Sequence, residues 1–369
     1  MAGSITPYET SAGKRYRVRY RKPNGAQTDK RGFKTKRDAE LYLSSVTVSK
    51  ATGAYRDPLE GKQLVSVFGE RWKTGHLTSL KPSSQLTMET AYRLHVEPVW
   101  GSRQVASIRP SEVSAWIGKL TTGSESRKAL AAQTVRRAAF VLSLVLDYAV
   151  QDGLMPANPA RGHRLPAKRR KPNVYLTHQQ VERLATLSEK PDLIRFLAYT
   201  GLRWGETAAL QRRHLDFKRS RIRVESNVVM VKGEFKTGTP KSGESRTVPV
   251  SDFLELPLRR LVRGRPETAY VFGSDTTPPM RPAADYSWFV TAVKLAMAED
   301  PEFPRITPHD LRHTAASLAV AAGANVKAVQ RMLGHTSAAM TLDVYADLFE
   351  DDLDAVAVSL SKARTAALA

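Results

Sequence analysis

Five side chains in this sequence are of the types needed to break a phosphodiester bond without a metal: Arg203, His309, Arg312, His335 and Tyr345. Arg203 lies in Thr200-Gly201-Leu202-Arg203-Trp204-Gly205-Glu206. His309 and Arg312 lie in His309-Asp310-Leu311-Arg312-His313, and His335 closes Leu333-Gly334-His335 ahead of Tyr345. A phosphodiester under attack gathers negative charge on its non-bridging oxygens. Two guanidiniums can clamp those oxygens through planar, bidentate forks, a geometry that lysine lacks. A tyrosine with a reference pKa near 10 becomes a nucleophile only when its proton is accepted, and a histidine can assist that transfer.

The composition fits a polyanionic substrate. The 369 residues include 57 Lys or Arg against 36 Asp or Glu, a formal net charge of +21. Such an excess favours nucleic acid or an anionic membrane surface. No apolar run approaches the roughly 20 residues needed to span a bilayer, so a membrane role has weak support. The start, Met1-Ala2-Gly3-Ser4-Ile5, shows no signal-peptide pattern. Cysteine is absent, which excludes disulfides, thiolate nucleophiles and cysteine-ligated zinc, and fits a cytosolic setting.

Local patterns suggest how the reactive groups are held. Thr307-Pro308-His309-Asp310 reads as a helix start, with Thr307 capping, proline at the first helical position and aspartate at the third. His309 and Arg312, three apart, then share a face at a helix end that favours a bound phosphate. The same pair also suits an ordinary exposed helix. His309 and His313 have the four-residue spacing of zinc proteases, but aspartate follows where glutamate is the base, Arg312 would crowd a cation and no third ligand is evident. Glu206 is close enough in sequence to orient Arg203 through a charged hydrogen bond, or to form a surface ion pair of little value.

The length predicts two or three domains. Residues 1–55 read as a small α+β module. Arg15, Arg17, Arg19 and Arg21 alternate with Tyr16, Val18 and Tyr20, the period of a strand with arginines on one face. Pro23-Asn24-Gly25 marks a turn, Lys30 to Phe33 a second strand, and Thr35 caps a helix. A solvated edge strand would explain the alternation alone. The first 60 residues, with 13 basic and 6 acidic side chains, add the charge density of a DNA-reading ribbon.

Residues 56–64 read as a linker and 65–160 as an all-α domain. Its helices are expected at 65–72, 85–95, 110–120 and 128–150, the last with an apolar stripe from Ala132 to Ala149. Arg127, Lys128, Arg136 and Arg137 at one end of that helix are DNA-contact candidates. Residues 161–171 form a basic linker in which Lys168, Arg169, Arg170 and Lys171 either are merely solvated or track a DNA backbone. Residues 172–350 read as a mainly α, mixed α+β domain. Helices are expected at 178–188, 192–199, 285–298, 309–321, 326–332 and 338–349, strands at 222–231 and 246–250, and a polar stretch at 232–244. The tail is 351–369.

Taken together, the segments of 172–350 resemble the catalytic domain of the tyrosine recombinases, in particular the phage-type integrases of actinobacterial phages and prophages. The family's Thr-Gly-Leu-Arg arginine is matched by Arg203, its His-x-x-Arg element by His309 and Arg312, its Leu-Gly-His histidine by His335 and its nucleophile by Tyr345. Its hairpin lysine corresponds best to Lys241 in Thr239-Pro240-Lys241-Ser242-Gly243-Glu244-Ser245-Arg246-Thr247-Val248-Pro249, ahead of Lys236 and Lys232, which lie farther from the Arg-Thr-Val-Pro strand. Six positions occur in the right order. Tyr345 follows His335 by ten residues where many members have nine, and it is preferred to Tyr270 and Tyr286 because it alone follows Leu-Gly-His.

The resemblance implies an arm-type DNA-binding module, a helical core-binding domain and a catalytic domain. It implies a 3′-phosphotyrosyl intermediate, strand exchange through a Holliday junction, and no cofactor, metal or ATP. The implied partners are double-stranded DNA with core-type and arm-type attachment sites, three further copies of the chain in a tetramer, a host DNA-bending factor and an excisionase. The implied setting is the bacterial cytoplasm, at the nucleoid. Leu353 to Leu360 would pack against a neighbouring protomer in such an assembly, though the stretch also suits a solvated helix. A type IB topoisomerase shares the chemistry but needs no partner site. A DNA-binding protein with a decayed centre is the non-enzymatic alternative, and the filling of all six positions argues against it.

Overall fold

The structure, a computed structural model, describes residues 3–52, 55, 62–125, 128–168, 172–240, 243–282, 287–337, 339, 342 and 352–368, without the side chains of 352–357 and 359. The chain divides into two compact units, Met1–Arg169 and Arg170–Ala369.

The first unit opens with three antiparallel strands, β1 (Ser4–Tyr8), β2 (Arg15–Arg21) and β3 (Gln27–Phe33), in the order β1-β2-β3. The arginine-bearing strand is therefore central rather than an edge, because Ser4–Tyr8 supplies a strand that its short, proline-containing sequence did not announce. Gly25, at φ 83°, turns the chain between β2 and β3, and the Asn24 carboxamide accepts from the Ala26 N–H at 3.0 Å. Helix α1 (Lys36–Ala51) starts where the Thr35 hydroxyl accepts from the Asp38 N–H at 3.1 Å. Val18 and Tyr20 are buried in one small core with Ala39 and Val46 of α1. The strand's period of two then puts the arginines on the opposite face.

The helical part comprises α2 (Val65–Gly75), α3 (Pro82–Ala91), α4 (Glu97–Trp100), α5 (Pro110–Thr122) and α6 (Ala132–Gln151). The expected single helix at 85–95 is a longer run, in which a π-helical turn at Tyr92–Val96 joins α3 to α4. Helix α6 starts four residues later than the apolar pattern suggested, so Lys128 precedes it and Arg136 and Arg137 lie in its first two turns. Its apolar stripe is wider than expected, with Ala138, Val141 and Val145 buried beside Val135, Ala139, Leu142, Leu146 and Ala149. They pack with Phe68, Trp72, Tyr92, Trp100 and Trp116 in a core of its own. Each fully buried large side chain there stabilises the fold by about 1.5–3 kcal/mol.

The second unit contains α7 (His178–Thr186), α8 (Pro191–Thr200), α9 (Trp204–Ala208), α10 (Asp252–Val262), α11 (Trp288–Glu299), α12 (Asp310–Ala321), α13 (Val326–Leu333) and α14 (Asp352–Leu368). Its strands β4 (Leu215–Asp216), β5 (Arg221–Val224) and β8 (Arg246–Pro249) form one sheet. Strands β6 (Asn227–Val231) and β7 (Glu234–Gly238) form a separate hairpin. The stretch 222–231 is thus two strands with different partners, broken at Glu225-Ser226, and part of the polar stretch 232–244 is strand.

Helix α10 was hidden by Pro257, a residue that argues against a helix interior. Its Leu254, Leu258 and Val262, at four-residue spacing, bury against Ile222, Val224 and Val248 of the sheet. Of the expected helix at 338–349 only residues 339 and 342 are described, both helical, and the rest lies outside the described residues. The tail is helical, and Val358 and Leu360 on it are exposed. No helix among the described residues is long and apolar enough to cross a membrane.

Candidate active site

The site is organised around the carboxyl end of α13. Helix α8 ends at Thr200, and Gly201 follows in the left-handed region at φ 64°. A Cβ there would lie 2.7 Å from the Leu333 side chain, so the turn before Arg203 can press against the end of α13 only as glycine. Arg203 then starts α9 in extended conformation, and Glu206 reaches back to accept from its N–H at 2.9 Å. Helix α13 itself ends at Gly334, also left-handed at φ 67°, with the Gly334 and His335 N–H groups both donating to Gln330 O. That closure turns the chain sharply and presents His335.

The last carbonyls of a helix have no partners within it and carry the negative end of its dipole. Here three arginines from three different segments meet three successive carbonyls. Arg246 Nε, at the start of β8, donates to Met332 O at 3.0 Å. Arg312, from α12, donates to Leu333 O at 2.7 Å and to Gly201 O at 2.6 Å. Arg203 Nη2 makes a longer contact with Gly334 O at 3.5 Å. Arg312 is only 3% exposed, so these bonds satisfy a cation that burial would otherwise penalise heavily.

Glu206 ties the group together. Its carboxylate is fully buried and accepts from Arg203 Nη1 at 2.8 Å and from both Nη atoms of Arg246 at 3.0 and 2.7 Å. Burial alone would raise its pKa. The Arg246 hydrogen bonds and charge, with the N–H and charge of Arg203, outweigh burial and hold it at about 2. The pair of Arg203 and Glu206 is therefore part of a buried network rather than a surface ion pair.

The histidines face the same cations. Burial, then His313 and Arg312, lower the His309 imidazole to about 4 against a smaller opposing pull from Asp310. Burial, then Arg312, Arg203 and Arg246, lower His335 to about 4 as well. The rings of His309 and His313 meet edge to face at 4.9 Å. Both His309 and His335 are neutral at pH 7 and offer one N–H donor and one lone pair each.

A histidine whose folded pKa lies below its unfolded value of 6.5 takes up a proton more readily on unfolding. Its neutral form therefore contributes full stability above pH 6.5, and that contribution is lost as pH falls toward 4. Glu206 extends the loss from its ordinary 4.5 toward 2. The melting temperature of the DNA-free protein should be flat from pH 8 to 7 and fall steadily below pH 6.5. A thermal melt series that rises on acidification from pH 7 to 5 would contradict the burial of these imidazoles.

The second unit thus brings together Arg203, Glu206, His309, Arg312 and His335. The helix carrying Arg312 begins at Asp310, two residues later than a Thr307 cap with Pro308 in the first helical position would place it. His309 takes the cap position, and Thr307 serves from outside, its N–H and hydroxyl both donating to the Asp310 carboxylate at 2.7 Å. Lys241 and Tyr345 lie outside the described residues. Lys236 sits on β7 against Glu234 at 2.5 Å. Arg246 was missed as a functional side chain, because a lone arginine opening a short strand carries no local signal. Among the described residues no group of three or more histidine, cysteine, aspartate or glutamate side chains is arranged to hold a metal ion.

Of the DNA-contact candidates in the first unit, Arg19 and Arg21 are exposed, and Arg15 and Arg17 are half-buried on the same strand. Arg17 lies 3.6 Å from Asp29. Lys128 and Lys168 are exposed and Arg136 and Arg137 half-buried, with Arg136 donating to Pro166 O at 3.3 Å. Arg127, Arg169, Arg170 and Lys171 lie outside the described residues.

A helix-rich unit that gathers three arginines and two neutral histidines round one helix end, with a tyrosine in the following chain, suits DNA strand transfer. The model of the phage integrase family matches residues 174–351. The integrase of Mycobacterium phage FRAT1 is 30% identical over 266 residues, covering 69% of this chain and 75% of that protein. Two solved structures are similar in fold. The Tn1549 transposon integrase (residues 82–397) in complex with circular intermediate DNA has a TM-score of 0.65 at 24% identity, covering 81% of this chain and all of that one. The lambda integrase tetramer bound to a Holliday junction has a TM-score of 0.56 at 16% identity, covering 90% and 95%. The chain belongs to the phage integrase family and is a tyrosine recombinase, an enzyme of site-specific DNA recombination.

Proposed function

We propose that this recombinase joins phage and bacterial attachment sites, with Tyr345 as nucleophile, Arg203 and Arg312 as the phosphate clamp, Lys241 as the acid and His309 and His335 as hydrogen-bonding partners. The observation that carries the assignment is the meeting of Arg203, Arg312, His309 and His335 at the end of α13, from three segments more than 130 residues apart at the extremes. The Tyr345 hydroxyl attacks the scissile phosphorus and loses its proton toward a neutral histidine. The P–O5′ bond breaks as the P–O(tyrosyl) bond forms, and Lys241 protonates the departing 5′ oxygen. The guanidiniums balance the charge that builds up on the non-bridging oxygens in between. Religation by the 5′ hydroxyl of another strand reverses these steps, so bond energy is conserved and no ATP is consumed.

The residues 1–55 module binds arm-type sites and 65–160 the core-type site. Residues 56–64 and 161–171 link them to the catalytic domain at 172–350. Exchange runs in a homotetramer through a Holliday junction, and the tail 351–369 engages a neighbouring protomer. A host DNA-bending factor assists, and an excisionase permits the reverse reaction in the bacterial nucleoid. The lambda integrase captured as a tetramer on such a junction supports this assembly.

Duplex DNA nicked beside the cleavage position traps a covalent intermediate. Mass spectrometry of the digested adduct should find the nucleotide on the peptide containing Tyr345, and an adduct on any other residue would overturn the nucleophile. Removing residues 1–55 should leave core-site cleavage within about threefold, because its phosphate contacts are separate. High-affinity binding of arm-site DNA should be lost, and an unchanged arm complex in a gel-shift titration would refute the role of β2.

A further inference from the structure

Arg246 is the one guanidinium of the cluster to which the proposed chemistry gives no task. Its side chain is only 10% exposed, yet it makes three hydrogen bonds, two to the carboxylate of Glu206 and one to Met332 O. Glu206 is also bonded to the Arg203 guanidinium at 2.8 Å. A carboxylate that close would leave Arg203 half of a neutral pair, with little net attraction for a phosphate. With Arg246 on the same carboxylate, two guanidiniums face one anion and the cluster retains a positive charge. The fork of Arg246 also takes both carboxylate oxygens, which limits the hold of Glu206 on Arg203.

We infer that Arg246 is a positioning residue that acts as counter-cation to Glu206, so that Glu206 can orient Arg203 without cancelling the charge Arg203 brings to the scissile phosphate. This inference rests on the phosphodiester chemistry assigned to the site. It also explains why Gly334 is glycine beyond its φ of 67°, since a Cβ there would lie 2.9 Å from the Arg246 side chain and displace it. The single arginine thus joins the strand that follows Lys241 in sequence to the helix end that presents His335.

The test is single-turnover cleavage of nicked suicide DNA at a temperature where melting curves show each variant folded. Arg246→Gln should slow cleavage on the order of 100-fold, the scale of removing one preorganised charge. DNA affinity at fixed salt should change by less than about threefold, since most phosphate contacts are untouched. The double variant Glu206→Gln with Arg246→Gln removes the anion together with its counter-cation, and should recover at least about tenfold over Arg246→Gln. A purely structural role would add the two losses instead. A slowing of less than tenfold in Arg246→Gln, or a double variant no faster than the single one, overturns the inference.

If Arg246→Gln has no cooperative melt, the double variant carries the test. It must then cleave within about tenfold of wild type, and a larger loss overturns the inference. Wild-type protein that gives no adduct at all would instead remove the chemistry on which the inference rests.

Discussion

Tyr345→Phe is expected to bind attachment-site DNA with wild-type affinity and to form no covalent adduct. The change removes one oxygen and keeps the ring, so packing is preserved and only the nucleophile is lost. A phenol is reactive here only because its surroundings can take its proton and stabilise the resulting phosphorane. No neighbouring hydroxyl inherits that geometry by default. The loss should exceed about 1,000-fold, below detection in a denaturing gel of suicide-DNA reactions. Tyr270 is the alternative among the described residues. It belongs to a tight turn in which its own N–H and C=O are bonded to Ser274 and Arg265. Persistent adduct in Tyr345→Phe, or its loss in Tyr270→Phe alone, would reassign the nucleophile.

Arg312→Ala should lower cleavage by about 100- to 1,000-fold, equivalent to about 2.7–4 kcal/mol of transition-state stabilisation. DNA affinity should change little, because the charge that builds up during phosphoryl transfer is absent from the ground state. The same substitution has a structural effect that distinguishes it from Arg203→Ala. Arg312 is buried and donates to the carbonyls of Gly201 and Leu333, so its removal orphans two acceptors at a cost of about 1–3 kcal/mol each. Arg203 is 22% exposed in its side chain, and its bond to Gly334 O is long at 3.5 Å. Arg203→Ala should therefore match Arg312→Ala in lost cleavage while melting at a higher temperature. Parallel loss of affinity and cleavage in both would make these arginines ordinary binding residues.

The positions that meet at the end of α13 could be singled out because each sits in a short segment whose residue types answer a definite need: Gly201 before an arginine, Pro308 before a histidine, Gly334 before a histidine. These glycines and prolines fix backbone turns, and turns are local. Helices α7, α8, α11, α12 and α13 were legible for the same reason, through the spacing of their apolar faces, whereas α10 was hidden by Pro257. What could not be read was pairing across long separations. The strand Ile222 to Val231 looked continuous until its two halves found different partners in β8 and β7. The strand Ser4–Tyr8, which makes Arg15–Arg21 central and removes the solvated-edge alternative, was not foreseen because with Pro7 in it the segment carries almost no strand signal. Arg246 was invisible as a functional residue because its meaning lies in Glu206, 40 positions earlier, and in Met332, 86 positions later.

In the cationic cradle at the end of α13, Arg203, Arg246 and Arg312 are held by backbone carbonyls and a buried carboxylate of the same unit. Its arrangement is consequently a product of folding and does not wait for a substrate to impose it. Heat that loosens the junction of α8, α12 and α13 must scatter the phosphate-holding groups at once. Catalytic failure and loss of tertiary order should then share a single transition, and no temperature range should exist in which the protein remains intact there but idle.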